Sequence, residues 1–366
     1  MRQQFRFAIA SDLHIALPHT IQPREGAFHL LEVSIPAWQR VLENLASYEL
    51  DFMILPGDLT KDGEPENHQW LLDSLKTLPF PVYVIPGNHD IRTPEATESS
   101  IGLAEFARHY SDYGYSNSEQ LYYTCNPVPG VCLIALNSTM FDRQGNQLGC
   151  LDDEQFEWLE TVLADRDDEF TIVTIHHNVL EHLPNQSKHP MGRRYMLDNA
   201  DRLRQMLKAA GVNLILTGHL HVQDIARDDE LYEITTGSLV SYPHPYRIVE
   251  GSMNESGEQL LSVTSHKLQA VEGHPELQAR SREAIGKASL RFILGLLTEP
   301  PVLMPKDEAI KFAPDLQDFW AAVAAGDAQF HFPHMPSSAR QLLEAFSDPV
   351  DGPKDNNALF RFSNFS

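Results

Sequence analysis

Short apolar runs recur along the first 240 residues of the chain, and each run stops at a group of polar residues. The runs have the length and the aliphatic and aromatic content of buried strands. They are FRFAIA at 5–10, DFMILP at 51–56, VYVIP at 82–86, VCLIAL at 131–136, FTIVTI at 170–175 and VNLILT at 212–217. The run at 82–86 leads into Gly87-Asn88-His89-Asp90. An amide, an imidazole and a carboxylate in a row contribute little to an apolar core, so the pattern indicates a function for the strand ends.

The segments between these runs follow a helical period. Apolar residues recur there at spacings of three and four, which is typical of helices with one buried face. The segments are VSIPAWQRVLENLASY at 33–48, HQWLLDSLKTL at 68–78, DEQFEWLETVLADR at 153–166 and DNADRLRQMLKAAG at 198–211. Strands that alternate with helices predict βαβ units and a parallel or mixed sheet that is covered on both faces.

The pattern changes after about residue 228. Two segments, 230–251 and 259–271, have the pattern of shorter strands with turns, and they fit a second sheet. Helical segments then follow at 275–297, 313–326 and 337–346.

We therefore predict a domain boundary near residue 270. The first domain would comprise residues 1–270, and residues 271–366 would form a helical C-terminal extension. Three roles stay open for this extension: a cap over the site, a contact between two copies of the chain in a homodimer, or packing against the first domain.

Acidic residues outnumber basic ones, 51 to 28, and the formal net charge is −23. This charge repels nucleic acid duplexes and anionic membrane surfaces, so we expect neither as a partner. A small anionic substrate would need local positive charge, which metal ions can supply.

The three cysteines, Cys125, Cys132 and Cys150, show no CxxC spacing. Neither a disulfide framework nor a zinc ribbon is therefore expected, and free thiols indicate a reducing compartment. The N-terminal apolar stretch is interrupted by Asp12 and is much shorter than a signal or membrane segment. We expect a cytoplasmic protein.

Five strand ends carry residues that can bind metal ions. In chain order these are Asp12 and His14, then Asp58, then Asn88 and His89, then His176, then His219 and His221. The carboxyl ends of such strands are where ligands bind in α/β sheets, so the side chains should converge. Oxygen and imidazole ligands without thiolates suit manganese, iron, cobalt or zinc. A single histidine is more commonly a core or surface residue, and it is the ordered set that indicates a metal site.

The set resembles the five motifs of the calcineurin-like metallophosphoesterases, in the same order and over residues 5–240. The motifs are Asp12-x-His14, Gly57-Asp58, Gly87-Asn88-His89-Asp90, His176 and Gly218-His219-x-His221. The resemblance implies an α/β fold, a four-layer α/β/β/α sandwich with a dinuclear site at one edge. Residues 1–270 would then be the metallophosphoesterase catalytic domain.

The resemblance also implies a role for each motif residue. The first metal ion would be bound by Asp12, His14 and His221, the second by Asn88, His176 and His219, and Asp58 would bridge the two. His177 stays open as an alternative to His176. The family branch usually has His-His-Pro where this chain has His176-His177-Asn178, so a different local turn is expected.

Two further residues of the motifs would take part in catalysis. His89 would protonate the leaving oxygen or contact the phosphoryl oxygens, and Asp90 would orient His89. Attack by a hydroxide that bridges the two metal ions would need neither a serine nor a cysteine nucleophile.

Segments between the motifs resemble the class III cyclic-nucleotide phosphodiesterase and glycerophosphodiesterase branch. They are 57–75, 149–163 and 195–207. The resemblance implies hydrolysis of a small-molecule phosphodiester, a cyclic nucleotide or a glycerophosphodiester. Two alternatives stay open: a phosphomonoesterase or broad phosphatase, and a non-catalytic metal-binding scaffold. The complete set of ligand residues argues against the scaffold.

Substrate contacts have a weaker signal. Arg193 and Arg194 follow the single-histidine motif and are candidates for substrate binding, with solvated loop charges as the alternative. His19 and Arg24, after the first motif, are open in the same way.

Overall fold

The computed structural model describes residues 3–22, 28–116, 120–166, 170–253, 259–349 and 352–362. Its strands, numbered in chain order, are β1 (Gln3–Ile9), β2 (Phe52–Leu55), β3 (Val82–Val84), β4 (Tyr123–Val128), β5 (Val131–Ala135), β6 (Thr139–Phe141), β7 (Gln147–Gly149), β8 (Phe170–Thr174), β9 (Leu214–Thr217), β10 (Asp224–Asp228), β11 (Leu231–Thr235), β12 (Pro245–Met253), β13 (Gln259–Lys267) and β14 (Asn357–Phe362).

The α-helices are α1 (Ser34–Leu45), α2 (Pro65–Leu75), α3 (Leu103–His109), α4 (Asp153–Asp165), α5 (Pro190–Arg193), α6 (Ala200–Ala209), α7 (Leu277–Thr298), α8 (Lys306–Ala309), α9 (Ala313–Leu316), α10 (Phe319–Ala325) and α11 (Ser337–Glu344). Short 3₁₀ helices span Pro18–Thr20, Leu31–Val33, Ser111–Tyr113 and Ile310–Phe312. Local sequence sets several helix starts: Pro65 opens α2, and the Asp152 carboxylate accepts a hydrogen bond from the Gln155 N–H at the start of α4.

Two six-stranded mixed sheets form the centre of the molecule. The first has the order β14-β13-β12-β1-β2-β3, and the second has the order β10-β11-β9-β8-β5-β4. Parallel pairing joins β1, β2 and β3 in the first sheet and β5, β8, β9 and β11 in the second. The remaining strands of both sheets are antiparallel to their neighbours.

The two sheets pack face to face through apolar side chains from both. Phe7 and Phe52 of the first sheet stack at 4.7 Å between ring centroids, in a cluster that also contains Ile172 and Leu214 of the second sheet. Separate apolar clusters join α1 and α2 to the outer face of the first sheet, and α4 and α6 to that of the second. The predicted four-layer α/β/β/α sandwich is thereby confirmed.

The C-terminal region is largely helical, as expected. Helices α7 to α11 share an apolar cluster of their own, which also includes Leu220 and Val222 from the segment after β9. The chain then returns to the first sheet as β14, which pairs antiparallel with β13. The sequence analysis did not anticipate this strand, because the polar, turn-rich residues before it resemble a tail. The boundary near residue 270 stays a prediction.

In the described part of the chain, no helix combines the length and the apolar content that a bilayer crossing requires.

The packing between the sheets gives a stability prediction. Phe7 is fully buried, and replacing it with alanine leaves a cavity, so Phe7→Ala should lower the free energy of unfolding by about 3–5 kcal/mol. Leu359→Ala is the control, because Leu359 lies on β14 with 62% of its side chain exposed, and its loss should cost less than about 0.5 kcal/mol. Urea titrations of both variants measure the difference; equal costs would contradict the proposed sheet packing.

Candidate metal centre

The predicted ligand residues meet at one edge of the two sheets. The loops after β1, β2 and β3 bring residues from the first sheet, and the loops after β8 and β9 bring residues from the second. Strands β2, β8 and β9 are buried along their whole length, and β1 and β3 are buried at their C-terminal residues, so each strand is fixed by its core and presents the polar residues that follow it at a defined position. The convergence expected from the sequence is therefore observed.

One half of the cluster contains Asp12, His14 and His221. Asp12 Oδ1 lies 3.0 Å from His221 Nε2, and His14 Nε2 lies 3.5 Å from the same nitrogen. His14 Nε2 is also 3.8 Å from Asp58 Oδ2. Together with Asp58, these residues place four candidate ligand atoms within 4.8 Å of one another.

The other half contains Asn88, His176 and His219. His176 Nε2 lies 3.2 Å from Asn88 Oδ1 and 3.4 Å from Asp58 Oδ2. His219 also offers a nitrogen within 4.8 Å of Asp58 and His176. The same oxygen of Asp58 thus faces both halves, which is the arrangement that a bridging carboxylate requires.

The backbone at this cluster is strained. Positive φ angles occur at five of the seven residues: 51° at Asp12, 42° at His14, 50° at Asp58, 67° at His219 and 59° at His221. Residues other than glycine rarely adopt this conformation, which costs free energy and is concentrated at functional sites. The fold therefore holds these side chains in place against the local preference of the chain.

Glycine is required where the loops touch. Gly57 has a φ of 94°, and a Cβ there would lie 2.5 Å from His176 Nδ1. A Cβ at Gly87 would collide with the backbone and side chain of Asp58. Both glycines therefore permit the close approach of the ligand loops, and Gly57 also supplies the unusual backbone angle.

The chemistry of the donors fits two divalent cations. Burial holds the pKa of His14 and of His219 well below the usual value, so both rings are neutral, as metal ligands must be. Burial favours protonation of Asp58, but His176, His89 and His14 overcome this and hold its pKa well below the usual range. Burial lowers the pKa of His176, but Asp58 overcomes this and raises it to about 9, so this ring would have to lose a proton to bind a cation. The neutral rings of His14 and His219 beside a buried carboxylate, and the imidazole nitrogens of His14 and His221 that face each other at 3.5 Å, are arranged for cations.

Second partners orient most of the ligand rings. His176 Nδ1 donates to the Pro56 carbonyl at 2.8 Å, and His219 Nε2 lies 3.3 Å from the Arg194 carbonyl. His221 Nδ1 is 3.0 Å from His29 Nε2. Such partners fix the tautomer and the orientation of a metal-binding histidine.

His29 is the residue of this site that the sequence analysis missed. It comes from the loop before α1, and its ring stacks on His14 at 5.2 Å between centroids. A single histidine in a loop, outside every motif and every periodic segment, carries no signal that could have identified it.

His89 lies beside the cluster, but the partners of its ring differ from the one expected. His89 lines the cleft, and its Nδ1 lies 2.6 Å from the Lys61 carbonyl and 3.3 Å from Asp62 Oδ1. Burial lowers the pKa of His89, but Asp58 and Asp62 outweigh that effect and raise it to about 9. Lys61 and Asp62, not Asp90, therefore hold this ring.

The expected contact between Asp90 and His89 is corrected by the structure. Asp90 is fully buried, and its carboxylate accepts hydrogen bonds from the N–H groups of Leu59, Thr60 and Gly87. It thereby ties the loop that carries Asp58 to the loop that carries Asn88. Sequence adjacency suggested a partner for His89, but the tight turn directs the two side chains to different neighbours.

His177 lies on the other side of its strand end. Its Nδ1 is 2.8 Å from Ser138 Oγ, and its ring packs 4.3 Å from that of His219. None of the candidate ligand groups among the described residues includes it. The candidate groups include His176, so His176 stays the predicted ligand.

A cleft of about 1080 Å³ opens beside the first half of the cluster. His14, His29 and His89 line it on the metal side, and its cationic lining residues are Lys61, Arg92 and Arg280. Neither Arg193 nor Arg194 is among the lining residues.

The two arginines expected to bind substrate lie elsewhere. Arg193 is 68% exposed and 3.7 Å from Asp198, and the guanidinium of Arg194 lies over the Tyr195 ring. His19 lines the cleft but pairs with Glu66 at 2.8 Å, and Arg24 lies outside the described residues. Lys61, Arg92 and Arg280 are therefore the cationic side chains that line the cleft, and substrate binding by Arg193 and Arg194 stays a prediction.

Comparison with known proteins points to one family. The model of the calcineurin-like phosphoesterases matches residues 5–223. The chain is 28% identical over 176 residues to a protein of Arcobacter nitrofigilis named probable glycerophosphodiester phosphodiesterase GpdQ, covering 47% of this chain and 56% of that protein. It is 28% identical over 192 residues to the 3',5'-cyclic adenosine monophosphate phosphodiesterase CpdA of Escherichia coli K12, covering 50% of this chain and 60% of CpdA. The chain thus spans little more than half the length of these relatives.

A solved structure with the same fold is a dimetal phosphatase from Danio rerio. It superposes with a TM-score of 0.52 at 14% identity, and the alignment covers 70% of this chain and 95% of that one. This likeness supports the sandwich fold described above.

The shared oxygen of Asp58 predicts a strong effect on metal binding. Asp58→Asn removes the charge that faces both halves, so wild-type protein should bind two Mn²⁺ per chain and the variant should retain at most one tightly. Elemental analysis after dialysis against Mn²⁺ measures the ratio. Asp73→Asn, an exposed residue of α2, should behave as wild type. Equal metal content in all three proteins would contradict the bridging position.

The contact of His29 predicts a smaller effect on one half only. His29→Phe keeps an aromatic ring but removes the partner of His221 Nδ1, so Mn²⁺ affinity at the first position should fall about tenfold. Calorimetric titration measures it, with His19→Phe as the control in the same cleft. Unchanged affinity in His29→Phe would show that this contact does not support His221.

Proposed function

Since the chain belongs to the calcineurin-like phosphoesterase family, we propose that it is a dinuclear metal-dependent phosphodiesterase that hydrolyses small-molecule phosphodiesters. The observation that carries this proposal is the position of Asp58 Oδ2, between the two halves of the ligand cluster and beside the cleft lined by His89. The two curated relatives named above, one for glycerophosphodiesters and one for cyclic AMP, support a diester substrate.

Asp12, His14 and His221 would hold one cation, Asn88, His176 and His219 would hold the other, and Asp58 would contact both. Two such cations would lower the pKa of a coordinated water and neutralise charge on the phosphoryl oxygens. The protein contributes a prearranged set of ligands, four of them buried, and His14 of this set lines the cleft.

His89 is suited to proton transfer to the leaving oxygen. Its Nδ1 faces the Lys61 carbonyl, which leaves Nε2 as the nitrogen available to a ligand in the cleft. Asp58 and Asp62 keep the ring protonated at neutral pH, and nearby cations would bring its pKa of about 9 closer to neutrality. A group that is protonated yet able to give up its proton near pH 7 is an effective general acid.

The cleft favours a polar organic group on the substrate. Among the described residues its wall contains charged, hydroxyl and imidazole side chains beside the apolar Ile21, Leu30, Leu31 and Pro65, and no phenylalanine, tyrosine or tryptophan. A glycerol-like group could form hydrogen bonds there, whereas a purine would find no aromatic ring besides imidazole to stack on. We therefore expect a glycerophosphodiester to be a better substrate than a cyclic nucleotide.

The test is a comparison of esters with metal-stripped protein to which Mn²⁺ has been restored. Bis(p-nitrophenyl) phosphate, p-nitrophenyl phosphate, a glycerophosphodiester and cyclic AMP are each assayed with wild type, Asp58→Asn and Asp73→Asn. We expect diester cleavage that requires metal and is lost in Asp58→Asn. Faster monoester cleavage would favour a phosphatase, and two bound metal ions without turnover of any ester would favour a scaffold.

The position of His89 predicts a dependence on the leaving group. His89→Asn should reduce kcat by about 10²–10⁴-fold for a glycerophosphodiester, whose alkoxide must be protonated as it leaves. The loss should be much smaller for bis(p-nitrophenyl) phosphate, because p-nitrophenolate leaves without a proton. A loss of equal size for both substrates would exclude the acid role.

A further inference from the structure

A fully buried carboxylate lies under the strand ends that carry two ligands of the second half. Glu233 belongs to β11, next to β9 in the sheet, and its side chain has no exposed surface. Its pairing partner on β9 is Ile215, so Glu233 lies on the same face of the sheet as Thr217, two residues further along β9. None of the motifs includes Glu233.

The carboxylate receives hydrogen bonds from two different strand ends. Oε1 accepts from the Thr217 hydroxyl at 2.8 Å and from the Asn178 side-chain amide at 3.1 Å. Oε2 accepts from the backbone N–H groups of Val179 at 2.9 Å and Leu180 at 2.6 Å. One side chain thus accepts hydrogen bonds from four buried donors.

These donors are immediate neighbours of metal-ligand candidates. Thr217 is the last residue of β9 and comes two residues before His219. Asn178 follows His176 by two residues, after β8. Asn178 also donates to Thr217 Oγ1 at 3.1 Å and accepts from the Gln186 side chain at 3.2 Å, so the two strand ends are joined directly as well as through Glu233.

The negative charge of Glu233 has a buried counterion. His182 Nε2 lies 3.0 Å from Glu233 Oε1, and its Nδ1 lies 2.6 Å from Asp224 Oδ2. Burial lowers the pKa of His182, but Glu233 and Asp224 overcome this and raise it to about 10. The ring is therefore an imidazolium at neutral pH and lies against the buried Glu233 side chain as its counterion.

We propose that Glu233 is a positioning residue for the second metal ion, because it fixes the separation between the strand ends that present His176 and His219. His176 and His219 each lie two residues beyond the end of a strand, and His219 has a strained backbone with φ of 67°. A buried carboxylate with four donors resists the shift that would relax this strain. It acts through Thr217 and Asn178 and contacts neither ligand ring in the described contacts.

The test measures metal affinity position by position. Glu233→Gln has one acceptor oxygen instead of two, so at least one pair of donors faces an amide group. Affinity for the second Mn²⁺ should fall about 10–100-fold while that for the first stays within about twofold. Calorimetric titration gives both affinities, and Asn88→Ala identifies the second binding event by removing one of its ligands.

Two further variants separate positioning from general stability. Asp224→Asn removes the other carboxylate beside His182 but leaves the strand ends joined, so both Mn²⁺ affinities should stay at the wild-type level. Thr217→Val keeps the shape of the side chain and removes its donor to Glu233, so it should weaken the second event in the same direction. If Glu233→Gln does not fold, Thr217→Val decides.

The outcome that overturns the proposal is specific. Suppose that Glu233→Gln or Thr217→Val unfolds at a lower temperature but binds the second Mn²⁺ with wild-type affinity. Glu233 would then have a purely structural role. The inference rests on the proposed dinuclear centre, but its readout is metal affinity. If the wild-type protein binds two Mn²⁺ but cleaves no ester, the proposed function is refuted and the role of Glu233 is not. If the wild-type protein binds a single Mn²⁺, the proposed function and the role of Glu233 are both refuted.

Discussion

The sharing of one carboxylate oxygen between two groups of buried donors is the constraint on which this structure depends. Asp58 Oδ2 lies within 4 Å of imidazole nitrogens from both halves of the cluster. Asp12, His14, Asp58 and His176 are buried, and polar side chains cannot be taken out of water at a sheet edge unless something compensates for their lost hydration. Two cations would provide that compensation, and the positive φ angles show how much local strain the fold sustains to keep the donors together.

In the layered fold, several buried strands together position the ligand residues. Each ligand loop starts from a strand whose side chains are locked in one of three apolar layers, so no loop has to fix its own position. Carboxylates then connect neighbouring loops: Asp90 joins those after β2 and β3, and Glu233 joins those after β8 and β9. The loops joined by Asp90 belong to the first sheet and those joined by Glu233 to the second, so in each sheet one buried carboxylate links two ligand loops.

The sequence was sufficient for most of the fold and for the ligand cluster. Buried parallel strands appear as uninterrupted apolar runs, and their ends converge by topology, so Asp12, Asp58 and His219 could be placed together without coordinates. The contacts of Asp90 and His29 could not be foreseen, because they depend on turns and loops whose conformation no periodicity encodes. Strand β14 was missed for a related reason: an edge strand with alternating exposed and buried residues is short and follows a polar segment.

Because the chain returns as β14, neighbouring strands of the first sheet are separated in sequence by the whole helical region. Helices α7 to α11 are inserted between two neighbouring strands, β13 and β14, and therefore do not form an appendage after a finished domain. A chain that ended near residue 270 would leave the β13 edge unpaired along Thr264 to Gln259, a row of free backbone groups open to association with other strands. During synthesis, the sheet that carries Asp12 and Asp58 can be completed only after Phe362 has emerged. The helical region is in this sense a long loop of the sandwich, and its loop-closure entropy opposes completion of the sheet.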